Sequence, residues 1–192
     1  AMTFSIHAET DSPESGPDTS NLVVIEQNRH GEILVAPGVD WARYARVGLE
    51  VASVEFRDRW IRDQRTRSNN IIREKDEIRI KSETADLVLE VLGRELSKKG
   101  GYVVTEEEGP DVMQMTIRVV DLDIVAPDRV RNHIGTSFTD SQLSMKLELD
   151  ILDSPGGELL ATTWQRQEDP YKGYMEWTTS PTNRQAARLL LG

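Results

Sequence analysis

The chain has 192 residues, no cysteine, and a formal net charge of -10 with a pI near 4.9. That length suffices for one domain with a genuine core, and the acidic balance argues against general binding to nucleic acid or to an anionic membrane face. Lack of cysteine excludes disulfides, thiolate metal sites and a cysteine nucleophile, and no apolar run reaches the roughly 18 residues of a bilayer span.

Residues 1–20 are rich in Asp, Ser, Pro, Glu, Gly and Thr, which predicts a flexible leader ahead of a single domain over residues 21–192. Ala1 ahead of Met2 predicts a trimmed start, with any targeting segment or lipid-modified cysteine removed. A short apolar run, Leu22–Ile25, opens the domain, and Gly38–Tyr44 is a turn bearing Trp41 and Tyr44. Arg46–Phe56 reads as a strand with Val47, Leu49 and Val51 on one face.

Phe56–Lys81 is polar and predicts irregular structure. Ser82 is a candidate N-cap for a helix ending near Lys99 before Gly100-Gly101, with a start near Asp76 as the alternative. Leu87, Val88, Leu89, Val91, Leu92 and Leu96 give that helix an apolar arc wide enough for a sheet. Tyr102–Thr105 predicts a short strand and Val112–Ile124 a long one. In the long strand, the apolar parity of Met113, Met115, Ile117 and Val119 switches near Val120, which predicts a bulge or a strand end.

Residues 126–140 read as a loop. Leu143, Met145, Leu147, Leu149 and Ile151 then alternate with Ser144, Lys146, Glu148 and Asp150, sending one row to a core and the other to water. Asp153–Gly157 breaks the run and Leu159–Gln167 returns, an antiparallel hairpin. Glu168–Thr179 is a loop, and Ser180-Pro181 starts a C-terminal helix. The expected fold class is α+β: a mainly antiparallel sheet, one long helix on a face, and a C-terminal helix beside it.

Little in the chain announces chemistry. His7, His30 and His133 are scattered without metal-ligand spacing, and no nucleophile-elbow, phosphate-loop or dinucleotide motif occurs, so no metal or cofactor is expected. Asp121, Asp123 and Asp128 lack the pattern of a calcium loop, and a solvated strand end suits them better. Glu95 falls in the apolar arc, either as a buried acid or, the preferred reading, as a residue paired with a cation.

Two segments stand out as partner surfaces. Arg57–Lys81 holds nine basic and five acidic residues, about +4 in an acidic chain, and within it Arg59, Arg62, Arg65 and Arg67 are candidates for an anionic or protein partner. The bland alternative is a solvated linker whose arginines neutralise nearby acids. Tyr171, Tyr174 and Trp177 form an aromatic loop with the amphipathic character of interface residues.

Pro37–Val47, Gly109–Val112 leading a strand that ends in Val120-Asp121, and Leu147–Ser154 with Gly157–Ala161 together form a pattern. It resembles the bacterial lipoprotein family known as domain of unknown function 3313, over about residues 30–190. The resemblance implies export and a lipid anchor on the periplasmic side of the envelope, at the outer membrane, and it brings no catalytic residues. The expected function is a non-enzymatic envelope domain that binds an unidentified envelope protein or supports an assembly, as a monomer or weak homo-oligomer. The alternative is a carrier of a small ligand, lipid or glycan.

Overall fold

The computed structural model describes residues 18–68, 71–124, 144–154 and 156–168. They build a mixed seven-stranded sheet and two helices: β1 (Val23–Asn28), β2 (Gly31–Val35), β3 (Arg46–Phe56), α1 (Trp60–Ser68), α2 (Glu74–Glu95), β4 (Val103–Val104), β5 (Val112–Asp123), β6 (Ser144–Ser154) and β7 (Leu159–Glu168). A 3₁₀ turn, Trp41–Arg43, precedes β3, and α2 runs on into a π-helical turn, Leu96–Gly100. The sheet order is β1-β2-β7-β6-β5-β3-β4.

The α+β class holds, but the sheet is less antiparallel than expected. β1, β2, β7, β6 and β5 pair antiparallel in that order, whereas β3 runs parallel to both β5 and β4. The reason is the crossover after β3. Parallel neighbours need a crossover rather than a tight turn, and the long α1–α2 connection after β3 supplies one. The predicted C-terminal helix, the 126–140 loop and the loop after β7 lie outside the described residues.

β3 has its predicted bounds, yet its inward row changes parity. Val51 pairs with Ile117 and Ser53 with Arg118, so Ala52 is an inserted residue and Val54 and Phe56 continue the buried row. The parity switch in β5 is likewise a bulge. Val120 pairs with Lys146 and Asp123 with Ser144, Asp121 takes a positive φ of 55°, and Leu122 and Ile124 turn inward after it.

Helix α2 begins at Glu74, two residues from the alternative start near Asp76 and well before Ser82, which lies within the helix. Asp76 accepts the Arg73 N–H at 3.2 Å, and acidic Glu74, Asp76 and Glu77 face the positive end of the helix dipole. Ile80, Leu87, Val88 and Val91 form its buried stripe against Val54, Ile117, Val119, Leu122, Met145 and Leu147. Gly101, at φ 71°, closes the helix with its N–H on the Leu96 carbonyl, a left-handed cap that glycine adopts without strain.

The hairpin forms as expected, with the Gly157 N–H on the Asp153 carbonyl at 2.7 Å. Its outer row departs from expectation. Lys146 and Glu148 are half-buried and Asp150 is only 4% exposed, held among neighbouring strands rather than in water.

Candidate functional site

At the end of β3 the chain makes an elbow. The Arg57 N–H donates to the Leu122 carbonyl, Arg59 adopts a left-handed φ of 64°, and α1 begins at Trp60. Helix α1 contains little apolar surface, so two side chains one turn apart fix it. Trp60 is 1% exposed, stacks on Phe56 at 4.0 Å between ring centres, and donates from Nε1 to the Ile124 carbonyl at 2.7 Å. Gln64, also buried, donates to the same carbonyl at 3.0 Å. The segment expected to be irregular is therefore an ordered helix over most of its first half.

Arg57 locks the elbow to the sheet, reaching Asp63 at 2.8 Å and Asp123 at 2.7 Å. Asp63 first, and Asp123 after it, hold its guanidinium above the ordinary arginine range. That role is structural, and it also accounts for Asp123, the middle member of the acidic trio. Asp121 lies 3.6 Å from Arg166, and Asp128 is outside the described residues. Among the described residues no group of three or more His, Cys, Asp or Glu is placed to hold a metal ion.

With Trp60 and Gln64 turned inward, Ile61, Arg62 and Arg65 point outward. They face the start of α2 across a cleft of about 690 Å³. Phe56, Trp60 and Ile72 contribute apolar lining, and Ile61 and Ile71 stand exposed at its sides. Arg59, Arg62, Arg65 and Lys81 supply positive charge, set against Glu55, Asp58 and Glu77. Lys81 sits 5.6 Å from the Phe56 ring centre.

Three of the predicted arginines, Arg59, Arg62 and Arg65, thus line one cleft. Arg67 belongs to α1, and its side chain is outside the description. Tyr171, Tyr174 and Trp177 fall outside the described residues. Sequence reading missed Phe56, Ile61 and Ile71 as companions of the arginines, whereas Lys81 belongs to the basic segment it singled out. Trp60 carried the available signal: a single large aromatic inside a basic run needs a place to be buried.

Glu95 is paired, to Lys99 at 2.7 Å and Arg94 at 3.4 Å. The Lys99 ammonium draws its carboxyl below the usual glutamate range, against the opposing effect of desolvation. It is no acid poised for proton transfer. A second charged cluster, around Asp150 on the sheet, is likewise internally paired. Arg118 reaches Asp150 at 2.8 Å and Glu148 at 3.4 Å, and the Thr162 hydroxyl donates to Asp150 at 2.6 Å. Among the described residues no helix is long and apolar enough to cross a membrane.

No protein-family model matches the chain, and no curated protein does either. Among solved structures, the chain is similar to the dodecamer of a PelC variant from Paraburkholderia phytofirmans, at 9% identity and a TM-score of 0.40, over 84% of this chain and 94% of that one. A second PelC dodecamer from the same organism gives 9% identity and a TM-score of 0.33, over 84% of this chain and 92% of the other.

Proposed function

We propose that this chain is a non-enzymatic domain of the bacterial cell envelope that binds a partner protein through the elbow between β3 and α1. One observation carries the reading. Helix α1 is fixed by Trp60 and Gln64 on one side and presents Ile61, Arg62 and Arg65 on the other, a rigid display of apolar and cationic groups on an acidic molecule. Large side chains that combine area with directional donors are enriched where proteins meet. The place in the envelope, with a lipid anchor at the outer membrane, rests on the resemblance to the lipoprotein family 3313.

The test is charge reversal at Arg62→Glu and Arg65→Glu together. Chemical cross-linking of the envelope-expressed protein should lose its partner adduct about tenfold or more, with the larger difference at low salt, while far-UV circular dichroism stays unchanged. An undiminished adduct in the folded variant would exclude the elbow as the contact. A second reading, a carrier of a small ligand, draws support from the cleft beside these arginines.

A further inference from the structure

We infer that the cleft between the β3–α1 elbow and the start of α2 binds a small amphiphile with one anionic head and an apolar chain. This rests on the elbow being the molecule's binding surface, and it adds the chemistry of an occupant.

The apolar half of the argument is the lining. Phe56 lies flat against the buried Trp60 ring at an interplanar angle of 6°, making a preformed aromatic floor. Ile72 continues it, and Ile61 and Ile71, 46% and 63% exposed, stand at its sides. A concave surface with this much apolar lining gains by covering it. A bare inorganic ion would leave these side chains in water, so the lining selects for a ligand with a hydrocarbon part.

Charge specifies the other end. Arg59 lies 3.4 Å from Asp58, and Lys81 3.3 Å from Glu77. Arg57 also lines the cleft, but it is bound to Asp63 and Asp123, which do not. Arg62 and Arg65 differ. Among the described residues, the carboxylate oxygen nearest to Arg62 is on Asp63 at 3.9 Å, and Arg65 forms no ion pair. Being three apart on a helix, they stand on one side of α1, able to converge on a phosphate or carboxylate. Glu55 is the remaining acid of the lining, so two guanidiniums outnumber one carboxylate and the balance suits an anionic head.

The experiment uses the purified chain and isoleucine-methyl NMR with octyl phosphate and decanoate, each below its micellar concentration. Either ligand should shift the methyls of Ile61, Ile71 and Ile72 while leaving Ile25 and Ile33, on distant β1 and β2, in place. Saturation by octyl phosphate alone would assign a phosphate head, and by decanoate alone a carboxylate. Shortening the chain of the binding ligand should weaken it about fourfold per methylene. Arg62→Ala with Arg65→Ala should weaken it about tenfold or more, and the surface change Ile71→Ser should weaken it without unfolding the domain. Inorganic phosphate should bind far more weakly, and octyltrimethylammonium should not saturate the site. The inference is overturned if neither anion shifts these methyls, if the cationic amphiphile binds equally, or if Ile25 and Ile33 respond alike. Loss of the partner adduct on charge reversal without amphiphile binding would leave the protein surface standing and remove the cleft's occupant. Amphiphile binding with an undiminished adduct would do the reverse.

Discussion

Asp150 stands in the alternating row of β6 with Lys146 and Glu148, where a period of two assigns it to solvent. In the folded chain its neighbours on β5 and β7 supply Arg118 and Thr162, and its carboxylate is enclosed between them. A buried carboxylate whose cation is removed retains its desolvation penalty. Arg118→Ala should therefore cost roughly 3 kcal/mol in urea unfolding at neutral pH, and a loss under about 1 kcal/mol would show that Asp150 is effectively solvated. The same variant alters the pH response. Burial pushes the Glu148 carboxyl up, but Lys146 at 2.6 Å and then Arg118 outweigh it and hold it below the usual glutamate range. A depressed carboxyl contributes stability that is present above its unfolded pKa and lost as pH falls through the folded one. Wild-type stability should drop as pH falls below about 4.3, and Arg118→Ala should flatten that limb.

At the scale of elements, the seam between α2 and the sheet is centred on Val88 and Val91, both essentially inaccessible, with Leu92 only partly buried beside them. Leu147 on β6 is buried in the same cluster. Leu147→Ala should cost about 2–5 kcal/mol through lost burial and the cavity left behind, and Leu92→Ala distinctly less. Equal losses in chemical denaturation would mean that α2 is rotated from this arrangement. The elements also show where sequence patterns had power. β3, the hairpin and the β5 parity switch were legible because a strand half-buried on one face writes its environment into alternate residues. Helix α1 was not legible, since Trp60 and Gln64 are its only buried residues among those whose side chains are described, and two positions make no period. The α2 start was obscured for a related reason: from Glu74 to Arg79 its residues are mostly charged, and none is buried.

For the whole molecule, the parallel β3/β5 pair joins the antiparallel strands to the helical crossover, and β5 is hydrogen-bonded on both sides. β1 is an edge strand, paired among the described residues only to β2, with all six of its residues exposed. Protection from hydrogen exchange should thus be greatest for amides in β5 and fall outward to β1. Fast exchange in β5 with slow exchange in β1 would contradict the strand order. The basic segment likewise gained meaning only at this scale. Its arginines were visible as a local excess of charge, but linear order could not sort Arg57, tied to Asp123 some sixty residues on, from Arg62 and Arg65 at the cleft.

While β1 and β2 were not read as strands, what the sequence by itself determined is strands β3 to β7, the long amphipathic helix and the α+β class. Those follow from local periodicity, which a chain displays without reference to partners distant in sequence. Tertiary structure alone decided the parallel pairing of β3, the burial of Asp150, and the joining of Phe56, Trp60 and Lys81 to the arginines in one cleft. Each of these depends on which segments the crossover brings side by side, and that choice is made by packing across the sheet rather than by neighbours along the chain.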